Sequence, residues 1–177
     1  YVVLDVWSRK IVGWTIHDVE SSEHAASLIV AACAAEGIDG PGLVLHSDNG
    51  APMKGSTLLA TLTELGVASS FSRPSVSNDN AYSEAVFKTT KYCPMYPSDG
   101  VFASIEAARA WMVEFEHWYN FEHLHSGIRY VTPIQRHEGL DIAILKKRRA
   151  VYAAARRATP GRFSGKTRNW TPIEAVT

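Results

Sequence analysis

Leu43-Val-Leu-His-Ser-Asp-Asn-Gly50 is a short apolar run that stops at turn-forming residues, with a carboxylate placed where the run ends. Four apolar or near-apolar residues bounded by Pro41-Gly42 and Asn49-Gly50 read as a buried strand, Leu43 to His46. In open α/β sheets ligand sites lie beyond the carboxyl ends of such strands, which is where Asp48 falls. Asp-Asn-Gly is also ordinary turn chemistry, so Asp48 alone decides nothing.

Downstream, a helix is expected over Ser56–Leu65, stopped by Gly66, and then a strand over Val67–Phe71. Ser72 to Asn80 is rich in Ser, Pro, Asn and Asp and is expected to be a mobile loop. A helix from about Asn80 to Tyr92 follows, then a long one from Ser104 to Phe121. Thr132-Pro133 starts a short helix behind a Thr cap, and Asp141–Ala158 forms a basic one ahead of an irregular tail. Upstream, Tyr1–Trp7 and Ile11–His17 flank the polar Ser8-Arg9-Lys10 and read as an antiparallel hairpin. Ser21 or Ser22 caps a helix that runs to about Glu36 and stops at Gly37. The order β-β-α-β-α-β-α points to a mixed α/β sheet flanked by helices.

Glu84 lies in the first turns of the expected third helix, in Asn78-Asp-Asn-Ala-Tyr-Ser-Glu84. Tyr82, Ala85, Val86 and Thr89 make its apolar stripe, and Glu84, Lys88 and Lys91 share a neighbouring polar one. A Glu four residues ahead of a Lys is by itself a common surface pair. Between Asp48 and Glu84, however, lie 35 residues. A strand-end Asp, a helical Glu at that spacing and two lysines after it resemble the second and third members of the D,D-35-E signature. Tyr1-Val-Val-Leu-Asp-Val-Trp-Ser-Arg-Lys-Ile-Val-Gly-Trp14, His46-Ser-Asp-Asn-Gly50, Phe71-Ser-Arg-Pro74, Asp79-Asn-Ala-Tyr-Ser-Glu84, Trp118-Tyr-Asn120, His125-Ser126 and Tyr130-Val-Thr-Pro133 extend the likeness. In that order they resemble blocks of the insertion-sequence transposases related to retroviral integrases.

The resemblance implies an RNase H-like fold and phosphoryl transfer on transposon-end and target DNA, with 3′-end cleavage followed by strand transfer. It implies Asp48 and Glu84 as catalytic carboxylates holding two Mg²⁺ ions, with Mn²⁺ as substitute, because hard cations prefer oxygen ligands. It also implies a homo-oligomer working on paired ends. Lys88 and Lys91 are expected at DNA phosphates, as are Lys146, Lys147, Arg148 and Arg149 of the basic helix. The first Asp of the signature is expected on a strand ahead of Tyr1, so the central strand of the sheet and one metal ligand are missing from this chain, and the fragment alone is expected to be inactive. Asp5 is the alternative ligand; the reading preferred for it is a hydrogen bond within the turn, through Ser8 or Arg9.

Charge divides the chain. Residues 1–135 hold 8 Lys/Arg against 15 Asp/Glu, and residues 136–177 hold 10 against 3, so an acidic catalytic core is expected before a basic helical extension. With 46% hydrophobic and 20% charged residues and no long apolar run, the composition excludes a membrane protein and a disordered one. Cys33 and Cys93 are too few for a disulfide framework, so reduced thiols and a cytoplasmic setting on DNA are expected. His117, His123, His125 and His137 lack the cysteines and regular spacing of a zinc site. Gly100, Gly127 and Gly139 fit no phosphate-binding loop, which argues against a nucleotide cofactor. Two other classes share some of these features: a non-catalytic DNA-binding or regulatory transposase fragment, and a cellular RNase H-like nuclease. The 35-residue spacing and the Tyr-Asn, His-Ser and Thr-Pro blocks disfavour the nuclease.

Overall fold

The structure, a computed structural model, describes residues 1–73 and 77–175. The chain divides into two compact units: Tyr1–Leu4 with Ile11–Phe115, and Asp5–Lys10 with Glu116–Thr177. This division by packing does not coincide with the change of charge after residue 135.

In the first unit β1 (Val2–Leu4) pairs antiparallel with β2 (Ile11–Trp14), and β3 (Val44–Ser47) pairs parallel with β4 (Ala68–Phe71). Among the described residues no ladder joins the two pairs, so β1 and β3 each have one partner strand. Both pairs nevertheless rest on one helical layer. Helix α1 (Ser22–Ala35) and helix α2 (Ser56–Leu65) bury Ala25, Ala26, Ile29, Cys33, Leu58 and Leu62 together with Val67. Against that cluster pack Tyr1 and Val3 from the hairpin and Leu45 from β3. The two pairs thus share one core without sharing a ladder among the described residues.

The helices sit where local chemistry places them. Ser21 caps α1, its side chain accepting from the Glu23 and His24 amides. Gly66 ends α2 in the left-handed region at φ 70°. Helix α3 (Ala81–Tyr92) is followed by α4 (Ile105–His117). The Arg109 guanidinium of α4 donates to the Ile16 carbonyl at 2.7 and 3.1 Å. Trp111 donates to the Met95 carbonyl and stacks on the fully buried Phe115, beside Tyr96 and Phe102. Of the loop expected over Ser72–Asn80, residues 74–76 lie outside the described residues, and Ser77–Asn80 form a 3₁₀ turn.

The hairpin strands are shorter than the apolar runs implied. Arg9 takes a left-handed conformation, φ 69°, and the tight turn over Asp5–Lys10 removes residues from the ladder. Gly40 is the most constrained glycine: at φ +89°, an added Cβ would fall 1.6 Å from the Leu65 carbonyl oxygen. Gly40→Ala is therefore expected to destabilise the first unit by on the order of 3 kcal/mol, read as a lower urea midpoint with unchanged slope.

In the second unit the long expected helix changes form. After α4 the chain winds into a π-helical turn, Trp118–Glu122, in which the His123 amide reaches back to the Trp118 carbonyl, and Tyr119 and Asn120 become buried. Helix α5 (Pro133–His137) starts on a capping box between Thr132 and Gln135. Helix α6 (Asp141–Ala158) then packs Leu145 on Ile128, Val131 and Trp170. No helix among the described residues is long and apolar enough to cross a membrane. Both cysteines are buried and free.

Candidate active site

Strand β3 delivers Asp48 just past its last residue, Ser47. The side chain is exposed, and its Oδ1 accepts from the Gly50 amide at 3.0 Å. Glu84 stands in the first turn of α3, exposed, while Val86 on the other face is buried. Lys88 and Lys91 are exposed on the same helix. The polar stripe of Glu84 and the two lysines thus faces outward as the spacing implied, whereas the apolar stripe is only partly covered: Val86 is buried, Tyr82 and Thr89 are half-buried and Ala85 is exposed.

A polar network links the residues beside Asp48 to the turn that precedes α3. The Arg73 guanidinium grips Asp79 through Nε and Nη2, each at 2.8 Å, and the Arg73 amide adds a third donor at 2.9 Å. This pair holds the Asp79 carboxyl well below the usual carboxylate range. His46 of β3 donates from Nε2 to the Asp79 carbonyl at 2.9 Å and accepts at Nδ1 from Ser70, which sets its tautomer. Asn49 donates to the Ser72 carbonyl at 2.6 Å. Sequence reasoning placed His46, Asn49, Arg73 and Asp79 only inside quoted blocks and assigned them no role. An Arg and an Asp six residues apart in a loop carry no periodic signal.

Asp5, the alternative ligand, belongs to the second unit. Its carboxylate accepts from the Trp7 amide at 3.1 Å, the Ser8 amide at 3.2 Å and the Ser8 hydroxyl, and lies 3.3 Å from His137 Nδ1. Burial pushes the Asp5 carboxyl up, but the Ser8, Trp7 and His137 hydrogen bonds outweigh it and leave it below its ordinary value. Those bonds are the turn-stabilising role read from the sequence.

The basic helix is mixed in use. Lys146, Lys147 and Arg149 of α6 are exposed. Arg148 instead turns inward, donating to the Arg129 carbonyl at 3.1 Å and the Tyr130 carbonyl at 2.7 Å, with its guanidinium over Trp170. Arg129 and Tyr130 both have positive φ, so Arg148 satisfies carbonyls that a strained turn has pointed away from any ladder.

Among the described residues no group of three or more His, Cys, Asp or Glu is placed to hold an ion. His123 and His125 lie beside Tyr119. Burial, and after it the charges of His123 and Arg9, push His125 down to about 4, and burial pushes the Tyr119 phenol up to about 12. A histidine kept neutral in the fold but free to protonate near 6.5 when unfolded contributes stability above that pH and loses it as the pH falls towards 4. Asp5 adds a second acid-sensitive step below 3.8. Stability from urea unfolding is expected to fall across pH 6.5 to 4, and His125→Gln to flatten that slope.

The shallow apolar cleft between α1 and α2, lined by Ala26, Val30, Ala31, Ala34, Thr57 and Thr61, contains neither Asp48 nor Glu84.

Two descriptions of the integrase core domain match the chain, over residues 1–77 and residues 65–133. The transposase for insertion sequence element IS904 of Lactococcus lactis subsp. lactis (strain IL1403) is 35% identical over 133 residues, 75% of this chain. This chain spans about half, 51%, of that relative. The catalytic core domain of BIV integrase superposes with a TM-score of 0.53 at 19% identity, covering 85% of this chain and 88% of that one. A chain of the simian T-cell lymphotropic virus intasome, solved in complex with PP2A regulatory subunit B56 gamma, gives a TM-score of 0.58 at 18% identity, covering 76% of this chain and 46% of that one. With the two-piece sheet and its helical layer, these likenesses make the fold RNase H-like. The chain belongs to the integrase-core family of DDE transposases and integrases.

Proposed function

We propose that this chain supplies the second and third carboxylates, Asp48 and Glu84, of a transposase that cuts transposon ends and joins them to target DNA. The observation that carries the reading is their placement: Asp48 follows a β3 paired parallel to β4, Glu84 opens α3, and 35 residues separate them. Enzymes of the integrase-core family generally use divalent metal ions. Two exposed carboxylates are a hard-oxygen donor set that suits Mg²⁺ or Mn²⁺, and one further carboxylate would complete a three-ligand site. Asp5 is a poor source of that ligand, because its oxygens already accept from Trp7 and Ser8. We therefore place the first Asp outside residues 1–177.

A pair of ions in the completed site would supply charge stabilisation at the attacking and leaving oxygens of the scissile phosphodiester. Asp48 and Glu84 hold and orient that site. A water first opens the phosphodiester at the transposon 3′ end, releasing a 3′-hydroxyl. That hydroxyl then attacks a target phosphodiester and displaces its 3′-oxygen. Lys88 and Lys91, exposed one and two turns beyond Glu84, are placed to hold phosphate groups, as are Lys146, Lys147 and Arg149 on α6. Such contacts position the backbone and make affinity salt-dependent. Arg148, assigned to DNA from sequence, contributes by shaping the turn at Arg129–Tyr130 beneath that helix. Pairing of two transposon ends calls for a homo-oligomer.

The test is Mn²⁺-dependent nicking and strand transfer on transposon-end DNA, comparing residues 1–177 with a chain extended upstream through a further strand. Activity is expected in the extended chain only. Activity of residues 1–177 alone would make Asp5 the first ligand.

A further inference from the structure

We propose that Arg73 and Asp79 form a positioning clamp, braced by His46 and Asn49, that sets Glu84 against Asp48. The inference rests on the reading that these two carboxylates share a metal ion. All six residues lie in the first unit. Asp48 is held by the sheet, since it directly follows β3. Glu84 is separated from that sheet by the residues between β4 and α3, and hydrogen bonds at both ends of that stretch tie the start of α3 to β3.

At the near end, the Ser72 amide donates to the Ser47 carbonyl at 3.0 Å and Asn49 Nδ2 donates to the Ser72 carbonyl at 2.6 Å. The residues flanking Asp48 are thereby bonded to the residue that precedes Arg73. At the far end, the Asp79 carboxylate takes three N–H donors from Arg73, two of them a planar guanidinium fork. The same Asp79 offers its carbonyl to His46 Nε2 at 2.9 Å, which ties it directly to β3 two residues before Asp48. Asp79 lies in the 3₁₀ turn Ser77–Asn80, and Asn80 is the residue from which α3 starts. From Asp79 to Glu84 the chain is therefore continuous 3₁₀ turn and helix, and the place of Asp79 fixes the place of Glu84.

The solvent exposure of the two partners separates this role from plain surface pairing. The Asp79 side chain is 18% exposed and Arg73 is 73% exposed, so the acid is the anchored member and the guanidinium closes over it from solvent. Without the Arg73 head group Asp79 keeps the Arg73 amide as a donor, and neither side chain belongs to a core cluster among the described residues, so Arg73→Gln should not disturb the core.

The experiment reads Mn²⁺ binding by paramagnetic broadening of the Gly50 amide, which donates to Asp48 Oδ1 and so reports on that carboxylate. Asp48→Asn should abolish the broadening. Glu84→Gln should weaken apparent affinity at Gly50 by about tenfold, and Asp79→Asn and Arg73→Gln by a similar factor, as for other groups that orient metal ligands. If Asp79 acts through Glu84, the double variant Asp79→Asn/Glu84→Gln should be no weaker than Glu84→Gln alone. Multiplying losses in the double variant, or unchanged affinity in both Asp79→Asn and Arg73→Gln, would overturn the clamp while leaving the shared-metal reading intact. An unchanged affinity in Glu84→Gln would instead remove the shared metal itself, and the clamp with it. Arg73→Gln keeps the test decisive should Asp79→Asn fail to fold.

Discussion

In a transposase chain carrying all three carboxylates, Glu84→Gln is expected to lower Mn²⁺-dependent strand transfer by about 10³-fold or more, the equivalent of about 4 kcal/mol at the transition state. The isostere keeps the shape of the side chain and removes only the charge that a metal ion would require. Its cost to the fold should be small. Glu84 is exposed in the first turn of α3, where a carboxylate interacts favourably with the helix N-terminus by about 0.3–1 kcal/mol. A lysine at the i+4 position, here Lys88, is worth at most about 0.3 kcal/mol more on an exposed helix face. Stability and rate should therefore part company. The urea midpoint moves by an amount worth about 1 kcal/mol at most, and strand transfer collapses. Measuring both on one preparation decides the matter, because a loss of less than about tenfold in rate would mean that Glu84 is a helix-capping surface residue and not a ligand.

Arg136→Met is expected to destabilise the second unit by about 3–5 kcal/mol, a loss typical of breaking a buried ion pair from one side. Arg136 is fully buried. Its Nε donates to the Trp7 carbonyl and its Nη2 to the Ile173 carbonyl, each at 2.7 Å. Nη1 lies 3.8 Å from the buried Asp141 carboxylate, and the guanidinium stacks over the Trp7 ring at 4.6 Å. One side chain thus joins the Asp5–Lys10 turn, helix α5 and the C-terminal tail. Methionine would fill much of the volume yet strand two carbonyls and leave Asp141 as a buried charge without its cation. Arg136→Lys should recover only part of the loss, since an ammonium keeps the charge but cannot present the fork that reaches two carbonyls at once. Urea unfolding followed by tryptophan fluorescence reads both variants, and a change below about 1 kcal/mol in Arg136→Met would show that the clamp is redundant.

What could be read ahead of the structure was whatever depends on near neighbours. Helices Ser56–Leu65 and Asp141–Ala158 span the expected residues, the first of them stopped by the left-handed Gly66. Ser21 and Thr132 cap as expected, because a capping side chain bonds to amides two or three residues away. The hairpin and the outward stripe of Glu84, Lys88 and Lys91 follow from the same short-range periodicities, while the strand before Asp48 forms over Val44–Ser47 but is not buried as its apolar run implied, Val44 being 57% exposed. The family blocks added the order of the elements and the pairing of Asp48 with Glu84 as a proposal for chemistry.

Where the chain departs from that reading, the cause is a partner distant in sequence or a backbone conformation that the residue type does not announce. The expected 18-residue helix breaks at Trp118 into a π turn that buries Tyr119 and Asn120, and the hairpin is shortened by the positive φ of Arg9, a residue type that rarely adopts it. Arg148, one of four consecutive basic residues, is drawn onto carbonyls 18 and 19 positions away and leaves its neighbours to face solvent. His46 meets Asp79 across 33 residues, and His137 meets Asp5 across 132. Which residues could carry charge, cap a helix or end a strand was legible from residue type alone, since those are local properties of side chains. Only the tertiary structure decided which of the polar groups are already occupied by one another, as with Asp5, Arg136 and Arg148, and which, like Asp48 and Glu84, are turned outward, because hydrogen-bond partners are chosen in space after the chain has packed.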